Sequence, residues 1–412
     1  MRAVVHPSVI AGEAAAPPSK SYTHRAIVCG LLSNGSSTIS NPLYCDDTQA
    51  TMRISKMMGA KIHHDAGIRI KGPNHLKAPA SEMNCKESGT TLRIFSALSA
   101  LANGKCVLTG DASLRQRPIG DLIDALHQLS INTKYLGEYG RPPVQILGRG
   151  FIKGGEVTIP GNISSQYITA LLFACSKARK PTMIQIAGTL ESRPYIEMSL
   201  GIMEHFGVEA EVSEDWKQIL VLGDQDYRSR QYEVPGDYSS ASFLFAAGAL
   251  TGEVAVTDLR KNTLQGDARL LRIIQKMGAS VEFTNDVIVK NQDMTGLTID
   301  VSDIPDLVPI LAVLATQARG VTRIVNAARL RLKESDRLAS ISYELKKMGA
   351  DIKELENGIT IRGPNRLRGT ILDSHKDHRI AMAGMIAGLV ADGKTVVRNV
   401  ECIKKSYPRF VA

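Results

Sequence analysis

Aromatic residues are scarce in this 412-residue chain, at one Trp, 8 Phe and 11 Tyr, or 5% in all. A groove that holds nucleic acid by base stacking needs such side chains, and needs them clustered, so no nucleic-acid partner is expected. Cysteine is sparse too. Cys29, Cys45, Cys85, Cys106, Cys175 and Cys402 never fall at Cys-x-x-Cys spacing, so neither a zinc knuckle nor a dithiol motif is signalled. They read as small buried apolar residues in a reducing compartment. The His63-His64 pair has no companion cluster and reads as strand surface, so no metal site is expected. No window reaches eighteen apolar residues, and residues 1–7 carry no apolar signal core. A cytoplasmic protein without a membrane partner is the expectation.

What is present is an ordinary globular composition, 43% apolar and 22% charged, with a formal net charge of +9. At roughly 100–200 residues per domain the length predicts two to four domains. The excess of base over acid favours an anionic partner.

One phrase repeats. Lys56-Met57-Met58-Gly59-Ala60-Lys61-Ile62 returns around Gly207, Gly278 and Gly349, glycines 148, 71 and 71 residues apart. A degenerate copy stands at Leu129-Ser130-Ile131, and the period implies a sixth. A second marker, a β-rich strand opened by a small or turn residue, occurs six times, at Gly35, Gly104, Pro181, Gly252, Gly320 and Gly393. Leu338, Ile341, Leu345 and Met348 form one apolar helical face that stops at Gly349. Asn357-Gly358 predicts a type I′ hairpin after it. Each unit therefore reads strand, helix, two strands, helix.

The second helix of each unit opens on a similar chemistry: Ser19-Lys20-Ser21, Ser88-Gly89-Thr90, Ser164-Ser165-Gln166, Asp237-Tyr238-Ser239, Pro305-Asp306 and Asp377-His378. Ser and Asp are good N-caps, and helix N-termini offer N–H groups to anions. If the repeats pack with pseudo-symmetry, these ends converge, each contributing about 0.3–1 kcal/mol toward a nearby anion. The loops and helix starts add Lys20, Arg25, Arg93, Arg115, Arg117, Lys333, Arg337, Arg379, Lys404 and Lys405. Guanidinium forks and ammonium charges at helix starts suit phosphate and carboxylate. Asp306 and Glu334 are available for proton transfer. A phosphate-loop match at residues 388–395 is accidental, because a helical pattern precedes it and a strand follows, the reverse of what that loop needs.

These motifs resemble a known family. Pro18-Ser19-Lys20-Ser21-Tyr22-Thr23-His24-Arg25-Ala26, Asn41-Pro42-Leu43-Tyr44-Cys45-Asp46-Asp47 and Ser88-Gly89-Thr90-Thr91-Leu92-Arg93 are similar to the 5-enolpyruvylshikimate-3-phosphate synthases. So are Arg117-Pro118-Ile119, Ser164-Ser165-Gln166-Tyr167, Lys333-Glu334-Ser335-Asp336-Arg337 and Asp377-His378-Arg379. The resemblance implies an α/β (α+β) fold of two domains, each of three βαβαββ units with pseudo-threefold symmetry. The domains would be residues 1–18 with 235–412, and residues 19–234, with the active site in the cleft between them. It implies transfer of an enolpyruvyl group from phosphoenolpyruvate to 3-phosphoshikimate by a monomer, with no cofactor. By resemblance, Lys20, Ser21, Arg25, Ser164, Ser165, Gln166, Ser192, Asp306 and Lys333 hold 3-phosphoshikimate. Lys20, Gly89, Arg117, Gln166, Arg337, Arg379 and Lys405 hold phosphoenolpyruvate, and Asp306, Glu334 and Lys20 carry the chemistry. The sister enzymes that act on UDP-N-acetylglucosamine are the alternative within the same fold. Their usual cysteine is missing from the loop Gly110-Asp111-Ala112-Ser113-Leu114-Arg115-Gln116-Arg117. A basic, non-enzymatic nucleic-acid-binding repeat protein is the alternative of another class; the charge permits it and the aromatic poverty opposes it.

Overall fold

The computed structural model describes residues 1–411. Two compact units emerge: Lys20–Val234, and Met1–Ser19 joined with the chain from Pro235 onward. Each has its own hydrophobic core.

Six small sheets follow one plan. A central strand has a parallel neighbour on one side and an antiparallel neighbour on the other. In the unit Lys20–Val234 the central strands are Ser36–Ser40, Asn103–Thr109 and Thr182–Ala187. Their parallel neighbours are Gln231–Glu233, Met83–Asn84 and Gly155–Pro160. In the other unit Glu253–Thr257, Gly320–Val325 and Thr395–Arg398 are central, beside Ala11–Ala15, Thr298–Asp300 and Ile371–Asp373. Five sheets complete the plan with a hairpin from their own repeat. The sixth takes Arg2–Val5 instead, paired antiparallel from Arg2↔Arg398 to Val5↔Thr395.

In four repeats the strand before the core helix pairs with the strand after it, an ordinary crossover across the helices Gly89–Leu98, Ser165–Cys175, Val308–Gln317 and His378–Leu389. At the two chain crossings the partners are exchanged. Ala11–Ala15 precedes the helix Lys20–Leu32 yet pairs with Glu253–Thr257. Gln231–Glu233 precedes the helix Tyr238–Thr251 yet pairs with Ser36–Ser40. Each unit thereby closes its own set of three sheets.

The repeated turn after the amphipathic helix is left-handed, with φ of 108, 81, 124 and 96° at Gly59, Gly207, Gly278 and Gly349, and Ser130 takes φ 61° in the degenerate copy. Only glycine adopts that conformation without steric cost, which is why the glycine recurs. The face Leu338, Ile341, Leu345 and Met348 is buried. The core helices are buried nearly all round, as their small and aliphatic composition requires, so only their first turns are left for chemistry. One turn differs from expectation. Leu355 pairs with Gly358, so Glu356 and Asn357 form the loop, and neither Asn357 nor Gly358 is left-handed as a type I′ turn demands. The Asn357 side chain instead accepts the backbone N–H groups of Ala327 and Ala328, each at 2.7 Å. A tertiary contact has overridden the local turn signal.

Candidate active site

Within each unit, three core-helix starts meet. In the unit Lys20–Val234, Ser88 caps its helix by accepting the N–H of Thr91 (3.2 Å), and Ser164 accepts that of Gln166 (3.3 Å). Gln166 ties the two starts together: its Oε1 accepts from Arg93 at 2.9 Å and its Nε2 donates to Thr90 at 3.1 Å. A Cβ on Gly89 would overlap the Arg93 guanidinium and lie 3.5 Å from Nη1 of Arg117, so the absent side chain is what lets two guanidinium groups face this helix start. Arg93 and Arg117 are both buried, held by the Pro118 carbonyl (3.2 Å) and the Ser113 hydroxyl (3.4 Å) respectively.

The third start is joined by a buried polar chain. His24 Nδ1 lies 2.7 Å from Thr51 Oγ1, Thr51 2.7 Å from Thr91 Oγ1, and Thr91 2.6 Å from Ser88 Oγ. Burial drives the His24 pKa down to about 3, so its imidazole is neutral at physiological pH. Lys20 Nζ pairs with Asp47 at 2.9 Å. Arg25, buried one turn on, donates to Ser199 Oγ (2.9 Å) and to the carbonyls of Ser21 (3.0 Å) and Tyr195 (2.8 Å). Burial lowers its pKa to about 10, still cationic at neutral pH. Ser192 is left-handed at the start of the helix Arg193–His205, with its hydroxyl not used as a cap.

The other unit carries the carboxylates. Arg337 is 1% exposed, and its guanidinium bonds three of them: Asp377 at 2.7 Å, Asp306 at 2.8 Å and Glu334 at 2.8 Å. Burial opposes its charge, but the three acids together raise its pKa. Asp306 also accepts from Arg379 Nη2 at 3.0 Å and lies 3.8 Å from Lys333 Nζ. Burial works to raise the Asp306 pKa, yet Arg379, Lys333 and Arg337 hold the carboxyl well below the ordinary range. Burial lowers Lys333 to about 8. Asp306 lies inside the 3₁₀ turn Pro305–Leu307 and not at a cap position, and its carboxylate serves these cations instead. Asp237 and Asp377 do cap theirs, accepting from Ser240 (2.7 Å) and Arg379 (2.9 Å). Lys405 donates to the Lys376 carbonyl at 3.1 Å, beside the left-handed pair His375 and Lys376.

A sequence profile described as EPSP synthase (3-phosphoshikimate 1-carboxyvinyltransferase) matches residues 4–412. The chain belongs to the EPSP synthase family. A 3-phosphoshikimate 1-carboxyvinyltransferase of Methanocaldococcus jannaschii is 42% identical over 403 residues, covering 96% of this chain and 93% of that protein. One of Methanococcus maripaludis is 41% identical over 403 residues, covering 96% and 94%. The solved EPSP synthase structure from Acinetobacter baumannii superposes with a TM-score of 0.83 at 28% identity, over 99% of this chain and 96% of that one. The α/β fold of repeated units expected from the sequence is thus the EPSP synthase fold.

Against that family's frame, the two units hold the sequence-derived residues in two groups. Lys20, Ser21, Arg25, Gly89, Arg117, Ser164, Ser165, Gln166 and Ser192 lie in one unit; Asp306, Lys333, Glu334, Arg337, Arg379 and Lys405 lie in the other. Sequence reasoning missed Asp267, which accepts from Ser239 Oγ at 2.5 Å. The signal was its repeat position, since Gln265-Gly266-Asp267 ends the loop that carries Arg117 and Lys333 in other copies. All six cysteines are buried thiols, and burial raises the pKa of each. Among the described residues no helix is long and apolar enough to cross a membrane.

Proposed function

We propose that the chain transfers the enolpyruvyl group of phosphoenolpyruvate to the 5-hydroxyl of 3-phosphoshikimate and releases phosphate, a step of the shikimate pathway. Family membership supports the reaction. The observation that carries the residue roles is the cluster of Asp306, Glu334 and Lys333 around one buried arginine. Two acids beside cations that suit phosphate and carboxylate are what addition followed by elimination requires.

In this reading Lys20, Ser21, Arg25, Ser164, Ser165, Gln166, Ser192 and Lys333 hold 3-phosphoshikimate, with Asp306 on its ring hydroxyls. Lys20, Gly89, Arg117, Gln166, Arg337, Arg379 and Lys405 hold phosphoenolpyruvate, Gly89 by leaving room beside Arg117. Arg337 also positions both acids, since most of its donors are already committed to carboxylates. The 5-hydroxyl oxygen attacks the phosphate-bearing carbon while Glu334 protonates the methylene carbon and Asp306 takes the hydroxyl proton. Lys20 supports the charge that builds up. The resulting phospho-ketal then breaks its carbon–oxygen bond to phosphate, the departing phosphate takes up the proton held by Asp306, and Glu334 takes back a methyl proton as the double bond is restored.

Asp306 is a weak base while three cations surround it. A phosphate on Lys333 and a carboxylate on Arg379 would offset two of them and return basicity to Asp306 when both substrates are present.

Phosphate release with each substrate omitted in turn tests the reaction. Release is expected only with both, and UDP-N-acetylglucosamine should not replace 3-phosphoshikimate. Every step uses protein groups, so EDTA is expected to leave the rate unchanged; a loss restored by one divalent ion would contradict the scheme. The chain is proposed to act as a monomer, which its sedimentation coefficient checks. Six cysteines kept as thiols fit a reducing cytoplasm.

A further inference from the structure

Asp267 lies on a short turn, Gly266–Ala268, and is 3% exposed. The turn is pinned to the start of the helix Tyr238–Thr251 by Gln265, whose Oε1 accepts the Tyr238 N–H at 3.0 Å and whose Nε2 donates to the Gly236 carbonyl at 2.8 Å. Asp267 Oδ2 then accepts the Ser239 hydroxyl at 2.5 Å. On its other side Ser239 Oγ accepts Nη2 of Arg379 at 2.7 Å, and that same nitrogen reaches Asp306 at 3.0 Å. The result is one line of contacts, Asp267 to Ser239 to Arg379 to Asp306, built from three core-helix starts and one loop.

We propose that Asp267 is a positioning residue for phosphoenolpyruvate binding: by taking the Ser239 proton it fixes that hydroxyl as an acceptor that aims the Arg379 guanidinium. The proposal rests on the reading of Arg379 as a phosphoenolpyruvate ligand. A serine hydroxyl has one proton and two lone pairs. An ionised carboxylate can only accept, so it draws the proton and leaves the lone pairs to Arg379. A protonated Asp267 brings a second hydrogen into the line. Its charge no longer holds the serine proton, so the hydroxyl can rotate, its lone pair is no longer fixed on Arg379, and the grip weakens.

The surroundings set this ionisation near neutrality. Burial first, then Asp306, push the Asp267 pKa up to about 7, with Asp237 acting the same way; Arg379 and the Ser239 hydrogen bond pull it down. The charged groups that face Asp267 include Asp237 at the start of the neighbouring helix, Asp306 on its 3₁₀ turn and Arg379 on the helix His378–Leu389. Ionised above neutrality, Asp267 favours phosphoenolpyruvate; protonated below it, Asp267 releases the arginine.

The test is the KM for phosphoenolpyruvate from pH 5.5 to 8.5, read as the ratio of Asp267→Asn to wild type. Taking the ratio cancels the substrate phosphate's own ionisation near pH 6. The ratio is expected near one at the acid end and about ten-fold or more at the alkaline end, the effect of one lost hydrogen bond to a charged group. kcat should change far less, which simple structural damage would not arrange. Ser239→Ala should give the same rising ratio and keeps the test open if Asp267→Asn folds poorly. A ratio that is flat with pH in both variants, or that falls below one, overturns the proposal. Arg379→Lys separates the two levels. If it raises the KM while the other ratios stay flat, only the relay is wrong. If it leaves the KM unchanged, the assignment of Arg379 fails and the proposal falls with it.

Discussion

A single buried arginine organises the acids of one unit. Removing the proton-transfer groups while keeping their shape isolates their chemistry from that framework. Glu334→Gln and Asp306→Asn are each expected to lower kcat by about 10²–10⁴-fold, the usual contribution of a positioned acid or base. Stopped-flow turnover with both substrates saturating checks this, and a wild-type rate removes the residue from the scheme. His24 makes a second, separable prediction. Its folded pKa of about 3 lies below the ordinary 6.5, so below pH 6.5 the unfolded chain binds a proton that the folded chain refuses. Stability should then fall as pH drops from 6.5 toward 3, by up to about 1.4 kcal/mol per pH unit from this group. Urea midpoints of His24→Asn, compared with wild type across that range, should show the slope reduced.

Among elements, the decisive feature is the first turn of the core helices, where cations gather beside capping side chains and, at Gly89, a side chain is missing. Gly89 opens the helix Gly89–Leu98 with no Cβ to block Arg93 and Arg117. In Gly89→Ala the new methyl must push the Arg93 guanidinium aside, which is cheap because it is the end of a flexible side chain. The cost falls on Arg93's bond to Gln166 and on the space beside Arg117. A rise of about ten-fold in the KM for phosphoenolpyruvate, with little change in melting temperature, is expected, matching the loss of one charge-assisted hydrogen bond. A steady-state titration of that substrate, run beside a thermal melt, checks both halves.

For the whole molecule, the exchange of strands at the two crossings has a consequence for folding. Gln231–Glu233 closes its unit on Ser36–Ser40, and the apolar core of Lys20–Val234 contains no residue from outside that segment. Residues 20–234 expressed alone should therefore fold with a cooperative urea transition. They should release no phosphate from the substrates, because Asp306, Lys333, Glu334 and Arg379 lie in the other unit. A non-cooperative transition would mean that the segment depends on the rest of the chain.

Much of this was legible beforehand for physical reasons. The glycine at each left-handed turn, the apolar face from Leu338 to Met348 and the Ser or Asp at helix starts are local requirements, so they recur wherever the repeat recurs. Six units, six strand openings and the candidate anion ligands follow from that recurrence. Other features depend on residues distant in sequence, and no local pattern encodes them. Asn357 stays in the loop without the expected left-handed conformation, its side chain accepting two backbone N–H groups about thirty residues away. Asp306 sits inside a 3₁₀ turn and not at a cap, with its carboxylate on Arg337 and Arg379. Asp267 acquired its surroundings from helix starts more than twenty-five residues off. The sequence by itself determined the repeat, its secondary structure and the chemistry of its loops, because each is set within a few residues. Only the tertiary structure decided which strand closes which sheet and which charges share one arginine, because those choices are made by burial and pairing across the whole length of the chain.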